Sequence, residues 1–252
     1  MDNNIFDLYA KRHSFYNITN DCPLTAEEIE NLVQKSLELY PSPFNSQSAR
    51  VMVLFGKNHK NLWGITQTEL LKAAPKEKAQ AISDKIASFA NGHGTILYFT
   101  DTDVTRALQN KFPLYAANFD NWAYQCNAIL QFMVWTALAN SDIGANLQHY
   151  NPLIDDAVRQ AFNIPNNWEL VAQMPFGGKG ISQSVVLTGL GIPNVAVGLA
   201  GGYTGRRLRE LLKARNVQEE LIEIAGDTRI NVKLRAGQET EINAPGPAVS
   251  SQ

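Results

Sequence analysis

Apolar positions within residues 24–39, LTAEEIENLVQKSLEL, fall at Ile29, Leu32, Val33 and Leu37, the spacing of one helix face. Thr25 and Glu28 stand before them as a T-x-x-E capping box, so the pattern predicts a helix over 24–39. PSPFNSQSA (41–49) breaks the rhythm with two prolines and small polar side chains and predicts a loop. ARVMVLFG (49–56) predicts a strand ended by Gly56, and KEKAQAISDKIASFA (76–90) a helix. GTILYFTD (94–101) is almost wholly apolar or β-branched, as a strand at the centre of a sheet requires. Residues 115–140 are long and mostly apolar, and predict a core helix. Asp120, Asn121 and Gln125 near the start of that stretch argue against a membrane span. DIGANLQHYNP (142–152) predicts a loop with one short element, LIDDAVRQAF (153–162) a short helix stopped by Pro165, and ELVAQMPFG (169–177) a strand.

Beyond residue 177 the pattern changes. ISQSVVLTGLG (181–191) predicts a helix, NVAVGLAGG (194–202) a strand closed by a glycine pair, and TGRRLRELLKARN (204–216) an amphipathic helix with Leu208, Leu211 and Leu212 inward. LIEIAGD and RINVKLR predict strands either side of Gly226 and Asp227. ETEIN predicts another, ahead of a frayed Pro/Ser tail. No internal repeat is evident. Composition sharpens the break: of 4 Trp, 8 Tyr and 11 Phe, only Tyr203 follows Gly177.

A hydrophobic fraction of 44% over 252 residues allows a substantial core in one large or two smaller domains. The net charge of −2 argues against a polycation for nucleic acid or a membrane surface. The start, MDNNIFDLYAKRHS, lacks the apolar run of a signal peptide. No stretch reaches the roughly 18 apolar residues of a spanning helix, so a cytoplasmic protein is expected. Cys22 and Cys126 form neither a disulfide framework nor a CxxC pair and read as reduced structural thiols.

Three stretches of the front portion carry candidate chemistry. KRHS (11–14) offers the forked cation of Arg12 and the hydroxyl of Ser14, a pairing suited to phosphate; a solvated surface face is the alternative. In FNSQSAR (44–50), Asn45 and Gln47 can each donate and accept, as the edge of a heterocycle requires; a turn network is the alternative. In DIGANLQHY (142–150), Gly144 permits close approach of backbone to a flat ligand, while His149 reads as a structural histidine ahead of a catalyst. No Ser-His-Asp arrangement, HExxH pair or Walker loop is present in this half, and no metal site is expected.

KRHSFYNIT, PSPFNSQSARVMVLFG, NWAYQCNAILQFMVWTALAN, GANLQHYNPLIDDAV and IPNNWELVAQMPFG together resemble the nitroreductase family, in its short nitroreductase-like and fatty-acid-repression branch, from about residue 4 to 177. The resemblance implies an α+β fold, a mixed sheet flanked by helices, that forms a homodimer with FMN at the subunit interface. It places Arg12 and Ser14 at the FMN phosphate, with His13 where many members carry a second arginine; a neutral histidine is the poorer phosphate partner. It places Asn45 and Gln47 at the flavin ring and ribityl chain, and Gly144 and Ala145 as backbone beside the ring. The implied activity is ping-pong hydride transfer from NADH or NADPH, through FMN, to a nitroaromatic or quinone-like acceptor. The flavin carries the chemistry, so no catalytic acid or base is expected.

GGKGIS (177–182) is a glycine-rich turn before a helix, suited to an anion or a sugar hydroxyl or else a plain linker. With TGLGIPNVAVGLAGGYTGRRLRELLKARNV, EIAGDTRINVKL and ETEINAPGP it resembles the α/β sugar kinases that include 1-phosphofructokinase and tagatose-6-phosphate kinase, over residues 177–247. The resemblance places Gly178, Lys179, Gly180, Arg229 and Asn231 at a sugar phosphate. Ser182 replaces the usual Asn, and the family's catalytic Gly-Ala-Gly-Asp motif has no counterpart, so no kinase activity is expected and Asp227 is not a base. The organisation expected is a nitroreductase-like FMN domain over 1–177, an incomplete kinase-like segment over 178–247, and a disordered tail over 248–252. The joint falls where nitroreductases continue into a closing segment that embraces the partner. A catalytically silent flavin-binding or interaction protein therefore stands as the alternative to the enzyme, and a sugar-phosphate-binding fragment as a third reading. Open strand edges in the kinase-like segment predict poor order or aggregation.

Overall fold

A computed structural model describes residues 5–16, 18–178, 188, 191 and 193–228, and the backbone of 231–236 and 238–243. The chain divides into two compact units, Met1–Lys179 and Gly180–Gln252. The predicted helix over 181–191, all but residues 188 and 191, and the tail over 248–252 lie outside the described residues.

The first unit is built on a sheet of β1 (Ala49–Phe55), β2 (Gly94–Asp101), β3 (Gly144–Ala145) and β4 (Trp168–Gly177), in the order β1-β2-β4-β3. These strands pair antiparallel, and a parallel bridge from Ser14 to Ala145 makes the sheet mixed. β2 lies between β1 and β4 and is buried along its whole length, as its unbroken apolar run predicts. Seven α-helices surround the sheet: α1 (Ile5–Lys11), α2 (Ala26–Leu39), α3 (Gly56–Ala73), α4 (Ala79–Ala90), α5 (Thr102–Lys111), α6 (Phe119–Asn140) and α7 (Asp155–Phe162). On one face Ile96 and Tyr98 of β2 meet Ile29 and Val33 of α2 and Leu130, Val134 and Leu138 of α6. On the other, Leu97 and Phe99 meet Leu62 and Trp63 of α3, Ile86 and Phe89 of α4 and Val158 of α7. The two-residue alternation of a strand thus feeds two separate cores.

Local chemistry explains most boundaries. Thr25 caps α2: its hydroxyl accepts from Glu28 N at 3.2 Å while Glu28 Oε2 accepts from Thr25 N at 2.7 Å, the predicted box. Gly56 ends β1 at φ 52° and opens α3 directly. α7 stops at Asn163, which takes the left-handed conformation at φ 52°, ahead of the proline expected to stop it. Residues 113–118 form a tight 3-10 turn, so the predicted core helix begins at Phe119.

The second unit contains a parallel pair, β5 (Val195–Ala200) and β6 (Gln218–Glu223), joined through α8 (Gly202–Ala214). Ala196, Ala200, Leu212, Val217 and Leu221 form its small core. Arg209 of α8 reaches Glu219 at 2.7 Å and the Leu221 carbonyl at 2.6 Å, tying the helix to β6. β7 (Asn231–Ala236) and β8 (Gln238–Asn243) form an antiparallel pair.

Candidate functional site

α1 ends in Lys11, whose ammonium bonds the Asn140 carbonyl at 3.2 Å and Asp142 at 3.0 Å, both at the end of α6. Tyr9, two residues earlier, packs on Phe132 of α6 at 5.2 Å between ring centroids. This docking sets the next residue, Arg12, over Trp135 of α6, with 4.4 Å from guanidinium carbon to ring centroid and 5.8 Å to Phe132. Arg12 Nε is buried with no hydrogen-bond acceptor. Ser14 follows on the surface, bridged to Ala145, and Phe15 N donates to the Ala145 carbonyl at 3.0 Å. Asn146 Nδ2 donates to the Phe15 carbonyl at 2.7 Å and fixes the two segments side by side. Arg12, Ser14, Gly144 and Ala145 are therefore brought to one place. His13 is exposed there, its ring edge-on to Phe15.

The loop before β1 is held in an unusual shape. Phe44, Asn45 and Gln47 all lie in the left-handed region, at φ 55°, 49° and 49°. Non-glycine residues adopt it at a cost of about 1–3 kcal/mol each, offset only where surrounding contacts dictate it. Those contacts are present. Gln47 N donates to Ser42 Oγ at 3.0 Å, Arg50 donates to the Gln47 carbonyl at 2.7 Å, and Arg50 also pairs with Asp101 at 2.9 Å. Phe44 packs against Phe112 at 4.6 Å, Phe119 at 5.5 Å, Tyr115 at 6.1 Å and Trp122 at 6.3 Å. The turn network offered for this loop is thus real, and an aromatic wall stands beside it.

Within one chain the two groups do not meet. Asp101 N donates to the Ser48 carbonyl, and Asp101 pairs with Trp168 at the start of β4. Gly144 pairs with Gly177 at the end of β4. Nine residue steps of strand separate these levels, about 30 Å at the usual rise. Asn45 and Gln47 sit at one end of the sheet; Arg12, Ser14, Gly144 and Ala145 sit at the other.

Spacing in the sequence did not reveal three contributors: Trp135 beneath Arg12, Asn146 beneath Phe15, and the Phe44 cluster. The last had a signal in the aromatic density of KFPLYAANFDNW (111–122). Desolvation of its ring lowers the pKa of His149 from the ordinary imidazole value.

The kinase-like residues form no comparable constellation among the described residues. Gly178 N donates to the Thr19 carbonyl at 3.0 Å and the Gly178 carbonyl accepts from Thr19 N at 3.1 Å. The backbone donor that the glycine-rich turn was expected to hold for an anion is therefore engaged within the first unit. Lys179, Gly180 and Arg229 lie outside the described residues, and of Asn231 only the backbone is described, paired with Asn243. Asp227 caps α8, accepting from Tyr203 N at 2.6 Å, as fits a structural aspartate.

A mixed four-stranded sheet between helical layers, with a basic-serine segment bridged to a backbone stretch beside it, defines an α+β protein. The chain belongs to the nitroreductase family, whose model matches residues 9–178. It is 30% identical over 176 residues to nitroreductase FRM2 of Saccharomyces cerevisiae, covering 69% of this chain and 87% of that protein. The solved nitroreductase CinD of Lactococcus lactis in complex with 4-nitrophenol superposes with a TM-score of 0.63 at 37% identity, over 70% of this chain and 89% of that one. Residues 153–252 match the model of the pfkB family carbohydrate kinases, overlapping the first match. The similarity to 1-phosphofructokinase of Bacillus subtilis is 45% over 76 residues, 30% of this chain, and spans 25% of that kinase. The protein is an oxidoreductase of the nitroreductase type with a pfkB-like C-terminal segment.

Proposed function

We propose that the protein is an FMN-dependent NAD(P)H oxidoreductase acting on nitroaromatic or quinone-like acceptors. The observation that carries this reading is the Arg12 guanidinium, held over the Trp135 ring with no ion pair among the described residues, beside the Ser14–Ala145 bridge. The terminal guanidinium nitrogens of Arg12, which are not among the buried unpaired atoms, are the donors a phosphate oxygen would meet. Arg12 and Ser14 would hold the FMN phosphate, while His13 adds charge only when protonated. Gly144 and Ala145 would lie as backbone beside the ring. FMN, when bound, supplies hydride transfer from NAD(P)H to the acceptor in two alternating half-reactions.

Asn45 and Gln47 cannot join that group from the same chain, because flavin mononucleotide is shorter than the span of β4 between them. They would come from a second copy, so the reading requires a homodimer with each site shared. An apolar groove lined by Ile5, Tyr9, Leu39, Ile129 and Phe132 is exposed between α1, α2 and α6, and supports a face that a partner covers. The aromatic wall around Phe44 would then close over a planar acceptor. CinD was solved in complex with 4-nitrophenol, a planar molecule of that shape. We place this function in residues 1–177 and assign no phosphotransfer to residues 178–247.

The test is direct. Purified protein titrated with FMN should turn yellow, bleach under NADPH or NADH and recover its colour with a nitroaromatic, while eluting as a dimer. Protein left colourless once unbound FMN is removed would favour the interaction protein, and yellow protein that NAD(P)H does not bleach would favour the silent flavin-binding alternative. Stabilisation by fructose 1-phosphate without any effect of FMN would favour the sugar-phosphate fragment.

A further inference from the structure

We propose that Trp135 is a positioning residue that makes the protein select phosphorylated over unphosphorylated flavin; this rests on the FMN reading above. Arg12 lies with its guanidinium carbon 4.4 Å from the Trp135 ring centroid and forms no ion pair among the described residues. The aromatic face, not a carboxylate, therefore holds the cation in place. That choice has a chemical consequence. A carboxylate partner would neutralise the guanidinium and occupy its donors, whereas a ring attracts the cation through its quadrupole and leaves the N–H groups available.

A second observation points the same way. Trp135 Nε1 is also buried without an acceptor, as Arg12 Nε is. Buried polar groups are nearly always bonded, and an isolated orphan calls for an explanation. Neither nitrogen is reachable from solvent, so an anion would meet the terminal guanidinium nitrogens of Arg12, whose placement the packing on the Trp135 ring sets. Ser14, two residues beyond Arg12 and pinned to Ala145, would supply a hydroxyl to the same anion. α6 fixes the ring itself: Val134 and Leu138, flanking it on the helix, are fully buried in the core under the sheet.

The experiment measures the dissociation constants of FMN and riboflavin by flavin fluorescence on full-length wild type, Trp135→Leu and Trp135→Phe, with circular dichroism as the folding control. Loss of the ring in Trp135→Leu should weaken FMN binding about tenfold and leave riboflavin unchanged. Trp135→Phe keeps a ring but no N–H, and should lose less FMN affinity than Trp135→Leu, again with riboflavin unchanged. Folded variants that keep the wild-type ratio of the two constants overturn the proposal while the FMN reading stands. If Trp135→Leu does not fold, Trp135→Phe alone decides by the same ratio. Wild type that binds neither flavin overturns the FMN reading, and the proposal with it.

Discussion

Single residues show how the chain uses buried nitrogen. His59 is 1% exposed and sits between the Thr95 hydroxyl at 2.8 Å and the Ala90 carbonyl at 3.2 Å, while Trp63 Nε1 donates to the same hydroxyl at 2.9 Å. One neutral tautomer satisfies every group: Nε2 donates to the carbonyl and Nδ1 accepts from Thr95. Burial lowers its pKa from 6.5 to about 4. The unfolded chain therefore takes the proton first. Stability from this group is full above pH 6.5 and falls as pH drops towards 4, by on the order of 3 kcal/mol in all. Guanidinium unfolding at pH 7.5 and 4.5 should show a smaller pH difference for His59→Gln than for wild type. Arg12 is the opposite case, a buried donor still lacking an acceptor. Arg12→Ala should weaken FMN binding by about 1.5–3 kcal/mol, read by flavin titration, the scale of a lost charge-assisted contact. Residue types at KRHS made Arg12 and Ser14 legible as phosphate ligands. Nothing in their spacing showed Trp135, more than a hundred positions away, as the surface beneath them.

Elements with clean periodicity or caps were legible, and those without were not. α2 announced itself through four apolar positions and a capping box, and β2 through an unbroken apolar run. α3 gave no such signal because its buried face mixes His59 and Thr66 with Leu62 and Trp63. Polar side chains that face inward and are bonded there look like surface in a sequence. α5 buries only Thr105, so its stripe is equally invisible. A linear sequence does not say at which end of a sheet a loop emerges, so the separation of Asn45 and Gln47 from Arg12 and Ser14 was not legible in it. β4 makes a further element-scale test. A Cβ on Gly177 would collide with the Thr19 carbonyl oxygen, a neighbour that cannot move aside without breaking its bond to Gly178. Gly177→Ala should destabilise the first unit by about 1–3 kcal/mol, measured by thermal denaturation followed by circular dichroism.

For the whole molecule, the step in composition after Gly177 is matched by separate cores: two large clusters around the mixed sheet and one small cluster of five residues under α8. The five described residues of that core support little stability of their own. Calorimetry should resolve a weaker transition below the main one. That weaker transition should be silent in tryptophan fluorescence, since Trp63, Trp122, Trp135 and Trp168 all lie in the first unit. A single transition seen equally by heat and by fluorescence would show one cooperative molecule instead.

The paired bonds between Thr19 and Gly178 anchor the polypeptide at its exit from the nitroreductase sheet. Residue 178 is thus a fixed point, so a fluorescent reporter joined directly after it would inherit a defined tether without disturbing the interior.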